Sequence, residues 1–106
     1  MTEPSIATAE PPTLARLRGL RSTITALAER YGARNIRVFG SVARGDAGPS
    51  SDVDFLVDMD RGRGLIPFGA LRVSLKELLG REVDLATDKT LRPAIRARVL
   101  REAITL

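Results

Sequence analysis

The stretch Asp52-Val53-Asp54-Phe55-Leu56-Val57 restricts the possible folds of this chain more than any other. Alternate residues of a strand point to opposite faces, so Val53, Phe55 and Val57 demand a covered apolar side while Asp52 and Asp54 share the other. Such a strand needs helices packed against one face of its sheet and an opposite face that tolerates neighbouring carboxylates. At ~3.3 Å rise per residue the two Asp side chains start about 6.6 Å apart, close enough to repel and to grip a pair of metal ions between them.

Periodicity places the other elements. Leu14, Leu17, Leu20, Ile24, Leu27 and Tyr31 recur at threes and fours, which predicts one continuous first helix, capped by Thr13 and stopped by Gly32. Arg16, Arg18 and Arg21 fall off that stripe and should face water. From Asn35 to Phe39, Ile36 and Val38 alternate with Arg37 and Phe39 as a strand that breaks at Gly40-Ser41. Ala47-Gly48-Pro49-Ser50-Ser51 forms a loop before the Asp-bearing strand, and Arg61 to Gly64 forms another after it. Pro67 suits the first turn of a helix whose stripe is Phe68, Leu71, Leu75, Leu78 and Leu79, closed by Gly80. Glu82 to Ala86 is a third strand. A last helix from near Pro93 would bury Ile95, Val99, Leu100 and Ala103 and expose Arg92, Arg96, Arg98 and Arg101. The order helix, strand, turn, strand, helix, strand, helix predicts a small α/β (α+β) domain.

Composition then narrows the chemistry. With 106 residues there is room for one core, expected over residues 13–106, behind a disordered tail over 1–12 that carries Pro4, Pro11 and Pro12. The tail has neither the charged start nor the apolar core of a secretion signal, and no apolar run approaches the ~20 residues a spanning helix needs, so a soluble, cytoplasmic protein without membrane contact is expected. There is no cysteine and no histidine. Disulfides, thiolate chemistry, the commonest general base and the commonest zinc ligand are all missing, which leaves carboxylates, hydroxyls and hard metal ions. The net charge of +4 would draw nucleotides or acidic proteins, but an Arg-rich composition produces basic domains without any polyanion partner, so charge does not choose between them.

Asp84, between Val83 and Leu85, is a polar residue pinned between core positions; if its strand pairs beside the Asp52/Asp54 strand, three carboxylates converge. An all-oxygen site of this kind suits Mg²⁺, which characteristically shares its coordination with substrate phosphates. Gly40 lets backbone N–H groups come near a phosphate where the first strand ends, and the Ser41 hydroxyl adds a donor. Arg44 could reach the same phosphates, and a helical turn over 41–46 would favour an anion at its start. Each feature alone has an ordinary explanation: Asp-x-Asp pairs form solvated turns, Gly-Ser is a common turn dipeptide, and Asp84 would fit a sheet edge. Their combination at strand positions that aim at one place carries the case. Asp46 is read as structural, capping the turn or pairing with an Arg, and Asp58 and Asp60 as solvated.

Gly40-Ser41, ten intervening residues, Asp52-x-Asp54 and an apolar-Asp-apolar strand at Val83-Asp84-Leu85 resemble the DNA polymerase β nucleotidyltransferase superfamily. More closely, Phe39-Gly-Ser-Val-Ala-Arg-Gly-Asp-Ala47 followed by Ser51-Asp-Val-Asp-Phe-Leu-Val57 resembles the minimal nucleotidyltransferases of prokaryotes, over nearly everything outside the tail. The resemblance implies a small mixed β-sheet with helices packed on one face. It implies that Asp52 and Asp54 bind two Mg²⁺ ions, that Asp84 binds the catalytic one and helps activate the attacking hydroxyl, and that Gly40 and Ser41 hold the triphosphate of ATP. Members of this type are commonly encoded with an all-helical HEPN protein, often a toxic ribonuclease, and those studied as antitoxins transfer AMP from ATP onto a tyrosine of that toxin. The expectation is therefore an adenylylating antitoxin with a HEPN-type partner and no direct contact to nucleic acid. Two rivals stand beside it: a module that neutralises its partner by occlusion alone, and a nucleotidyltransferase acting on an antibiotic or an RNA end.

Overall fold

The computed structural model describes residues 10–106. Its elements are α1 (Leu14–Gly19), α2 (Arg21–Arg30), β1 (Ala33–Phe39), α3 (Gly40–Arg44), β2 (Val53–Met59), α4 (Leu65–Leu79), β3 (Val83–Ala86), α5 (Pro93–Glu102) and β4 (Ile104–Thr105). The strands form one mixed sheet in the order β3-β2-β1-β4. β1 runs antiparallel to both β2 and β4, whereas β2 and β3 are parallel. A parallel neighbour requires a crossover, and α4 supplies it. Among the described residues no helix is long and apolar enough to cross a membrane.

The alternation of β2 divides the interior in two. Val53, Phe55 and Val57 join Leu17, Ile24, Ala28, Val38, Leu71 and Leu75 in the main core, beneath α1, α2 and α4. Leu56 faces the other way and packs with Phe39, Ala86, Leu91 and Val99 beneath α5. Helices on one face thus describes α1, α2 and α4, while α5 adds a smaller layer that covers only part of the opposite, carboxylate-bearing face. Phe55 is fully buried at the centre of the main core. Phe55→Ala should lower unfolding free energy by about 3–5 kcal/mol, the usual loss for a buried aromatic truncated to a methyl group, as read from the urea midpoint.

Several local expectations are corrected. The single first helix is two, because the chain leaves helical geometry at Leu20 (φ −105°, ψ 13°), just after Gly19, and Leu20 N–H bonds Leu17 O at 2.9 Å instead. Glycine is a poor helix former, by about 1 kcal/mol relative to alanine, and Leu20 at the break is 37% exposed rather than on a buried stripe. Leu100, expected inside, is exposed at 39%. β1 begins two residues earlier than Asn35 and contains a bulge: Arg34 pairs with Asp58 but Arg37 with Leu56, so three steps on β1 match two on β2. Asn35 takes φ 55° there, a conformation asparagine tolerates, and the extra residue keeps Ala33, Ile36 and Val38 all on the core side. β4, which no periodicity announces, pairs with the free edge of β1. The expected tail lies outside the described residues except for its end, where Pro12 is buried, Glu10 pairs with Arg16, and the Glu10 carbonyl accepts from Arg81 Nη2 at 2.6 Å.

Candidate active site

Asp54 is the centre of the site because of where the sheet places its neighbours. In the parallel pair β2/β3 it stands directly opposite Asp84, and in the antiparallel pair β1/β2 it stands opposite Phe39, the residue before Gly40. Adjacent strands lie ~4.8 Å apart, closer than the ~6.6 Å separating Asp52 from Asp54 along the chain. Asp54 is half-buried, whereas Asp52, just before β2, and Asp84, within β3, are exposed. The crowding is felt: Asp54 has its pKa pushed up to about 6, first by burial, then by the negative charges of Asp84 and Asp52, with Arg44 acting in the opposite sense.

This donor set is all oxygen and suits a hard cation such as Mg²⁺. As the side chains stand, no group of three or more acidic, His or Cys residues among the described ones is closed into a metal cage. The backbone register of Asp54 and Asp84 and the mutual charge felt at Asp54 nevertheless bring three carboxylates to one patch of sheet. The residues fit the cation by the chemistry of their donors and by their shared patch of sheet.

Gly40 packs against Asp54 so closely that a Cβ at this position would overlap Asp54 Oδ2, and its φ of 75° is one that L side chains rarely adopt. The chain then makes the single turn α3, closed by Gly45 in the left-handed region (φ 81°) and by Asp46 N–H donating to Ser41 O at 3.0 Å. Ser41 and Arg44 are carried on that turn. Arg44 Nε reaches Asp46 Oδ2 at 3.4 Å, which is the structural pairing expected of Asp46. Asp58 is held by Arg37 at 2.9 Å and by Asn35 at 3.0 Å, and Asp60 by Arg34 at 2.7 Å, all away from the three carboxylates.

Sequence reasoning missed two residues at this site. Glu102, at the end of α5, accepts from Gly40 N–H at 2.9 Å and lies 3.3 Å from Arg44 Nη1. The signal for it was its position: with Ile95 and Val99 it occupies i, i+4, i+7 on one helix, a carboxylate in an apolar stripe. Arg81 donates from Nη1 to the carbonyls of Pro49 (3.1 Å) and Ser51 (2.9 Å), and so fixes the loop that delivers Asp52. A hollow of about 560 Å³ lies at the other end of β2, lined by Met59, Phe68 and Thr87 among others; Asp52, Asp54 and Asp84 stand outside it.

The raised pKa of Asp54 has a measurable consequence for stability. Between the usual aspartate range near 3.8 and about 6 the folded protein binds a proton at Asp54 that the unfolded chain does not. Stability from this group therefore falls as pH rises through that window, and above it Asp54 is a charge held against repulsion. Without divalent metal, Asp54→Asn should melt at a higher temperature than wild type at pH 7, and the difference should shrink as pH is lowered from 7 to 5. Thermal melts in a chelator at the two pH values check this.

A model of the nucleotidyltransferase domain matches residues 20–106, which spans every element after α1. The chain belongs to the nucleotidyltransferase domain family. The nucleotidyltransferase is 44% identical over 92 residues to the protein adenylyltransferase MntA of Thermococcus cleftensis, covering 83% of this chain and 93% of that protein. A Methanocaldococcus jannaschii relative, provisionally named a protein adenylyltransferase, is 36% identical over 75 residues, covering 71% of this chain and 81% of its own. A solved structure provisionally named a minimal nucleotidyltransferase superposes with a TM-score of 0.78 at 45% identity, covering 90% of this chain and 97% of that one. A toxin–antitoxin crystal structure with AMP-PNP shares the fold of this nucleotidyltransferase at 22% identity and a TM-score of 0.67, covering 79% of this chain and 69% of that one.

Proposed function

We propose that this nucleotidyltransferase transfers AMP from Mg²⁺-bound ATP onto a tyrosine hydroxyl of a HEPN-type toxin, and that the transfer is how it acts as an antitoxin. The observation that carries the reading is Asp54 set between Asp84 on the neighbouring strand β3 and Gly40, the first residue of the turn that follows β1. That arrangement joins a carboxylate cluster to a glycine turn bearing Ser41 and Arg44, the two halves of a site for a metal-bound triphosphate. The name of the 44% identical relative and the toxin–antitoxin fold neighbours support the choice of a protein as acceptor. A cytoplasmic setting, where ATP is plentiful, goes with it.

In this reading Gly40 keeps the turn against Asp54, while the Ser41 hydroxyl and the Arg44 guanidinium take the triphosphate. Two Mg²⁺ ions, held by Asp52 and Asp54 with Asp84 on one of them, would acidify the attacking hydroxyl and neutralise charge on the leaving group. Asp84 helps draw the proton from the tyrosine hydroxyl. A bond forms between that oxygen and the α-phosphorus as the bond to the bridging oxygen breaks, and pyrophosphate departs. Most of the acceleration then comes from holding the reactants in line.

The test uses ATP labelled at the α-phosphorus or at the γ-phosphorus, incubated with the chain, Mg²⁺ and the proposed HEPN-type partner. Label from the α position alone, found on tyrosine of the partner, is the expected result. Label from the γ position would make the enzyme a kinase. Transfer to an antibiotic or an RNA end by the chain alone would assign a different acceptor.

A further inference from the structure

The hydrogen bonds of Glu102 give it a role that the motifs of the nucleotidyltransferase do not include. Its side chain is 19% exposed, and it lies close enough to Asp54 to raise that residue's proton affinity further, so it adds a partly buried fourth carboxylate to an already crowded site. Such a placement is unfavourable unless the charge is answered, and two groups answer it: the Gly40 amide at 2.9 Å and Arg44 Nη1 at 3.3 and 3.4 Å. Both belong to the turn that begins at Gly40. Arg44 is thereby held at two points, Nη1 by Glu102 and Nε by Asp46, while Nη2 has no partner among the described residues.

We infer that Glu102 is a positioning residue for this turn: from α5 it fixes the Gly40 amide and the Arg44 guanidinium so that Arg44 presents its remaining edge to the phosphates of a nucleoside triphosphate. The inference rests on the reading of Gly40–Arg44 as the phosphate turn. A guanidinium on a long flexible stem loses much rotamer freedom when it binds, and ordering it beforehand removes that cost from the binding step. Glutamine could still accept from the Gly40 amide, but only a charged group orients Arg44 strongly.

The expected effect is opposite to that of simple charge. Removing a carboxylate beside a polyanion site should tighten nucleotide binding; loss of positioning should weaken it. We expect Glu102→Ala to raise the Kd of MgATP by about tenfold and Glu102→Gln by a smaller factor, the sizes expected when a charge-assisted hydrogen bond is removed or replaced by a neutral one. In an Arg44→Ala background the further change Glu102→Gln, which keeps the acceptor for Gly40, should alter Kd by less than about twofold, because the charge of Glu102 acts through Arg44. Affinity for AMP, which lacks the β and γ phosphates, should not change.

Calorimetric titration of the purified chain and its variants with MgATP and with AMP makes the measurement, with thermal melts alongside. If Glu102→Ala does not fold, Glu102→Gln, which keeps the acceptor for Gly40, decides the matter alone. Unchanged or tighter MgATP binding, full additivity with Arg44→Ala, or an equal loss for AMP would each overturn the inference. Should Arg44→Ala itself leave MgATP binding unaltered, the phosphate-turn reading fails first, and the role of Glu102 falls with it.

Discussion

Replacing Asp52 and Asp54 together by asparagine should reduce transfer by at least about 10³-fold while leaving the domain folded. Partners that merely orient metal ligands typically cost 10–100-fold when removed, and the proposed function makes these two residues ligands themselves, so the effect should be larger. Asparagine matches aspartate in shape, which leaves Val53, Phe55 and Val57 undisturbed in the core on the other face. It also removes like charges that face one another, the repulsion that helps lift the Asp54 pKa to about 6. The variant should therefore be catalytically silent yet no less stable than wild type at pH 7 without metal. The initial rate of label incorporation and a melting curve on the same preparation check both halves. A variant that loses activity by unfolding would not count in favour.

Gly40→Ala should be nearly as damaging through a different route. The new Cβ would overlap Asp54 Oδ2, and the φ of 75° is strained for any L residue, so the turn or the carboxylate must shift. Misplacement of reacting groups by about 1 Å can cost ~10²-fold in rate, and a loss of that order in transfer is expected. The backbone strain alone costs roughly 1–2 kcal/mol of stability. Gly45 separates the two contributions, because it has φ 81° but no atom within 4 Å of its would-be Cβ. Gly45→Ala should lose comparable stability and keep most of the activity. Equal losses of activity in the two variants would mean that strain in the turn, not the close approach to Asp54, is what matters.

These residues show which parts of the molecule were legible from sequence and why. β2 announced itself because its period is local: Val53, Phe55 and Val57 alternate with Asp52, Asp54 and Leu56 whatever surrounds them. Thr13 and Gly80 were equally legible as helix boundaries, and both act so, Thr13 Oγ1 accepting from Arg16 N–H at 3.1 Å and Gly80 taking φ 68°. The break at Leu20 was hidden because the apolar spacing continues across Gly19, whose weak helix propensity, present in the sequence, does not by itself end a helix. The bulge at Asn35 adds a residue whose only trace in sequence is an asparagine, and it lengthens β1 where alternation alone places its start later. The pairing of Asp54 with Asp84 was a conditional expectation, since sequence cannot choose which strands become neighbours; the register makes them direct partners. The stripe of Ile95 and Val99 marks Glu102 as an unusual carboxylate, but the partners of Glu102 and Arg81 were out of reach for the same reason. Glu102 meets Gly40 across 62 residues and Arg81 meets Pro49 across 32, and no local pattern encodes such pairings.

The most direct test of the central claim, that this carboxylate patch performs nucleotidyl transfer and that the transfer is what neutralises the partner, is to co-express the chain with the proposed HEPN-type partner and weigh the partner intact. With wild type, the partner should gain one or more adenylyl groups on tyrosine and its toxicity should disappear. With Asp52→Asn/Asp54→Asn, the partner should keep its unmodified mass and remain toxic, although the two proteins still associate. An unmodified partner that is neutralised equally well by wild type and by the double variant would contradict the account and make the domain an occluding module.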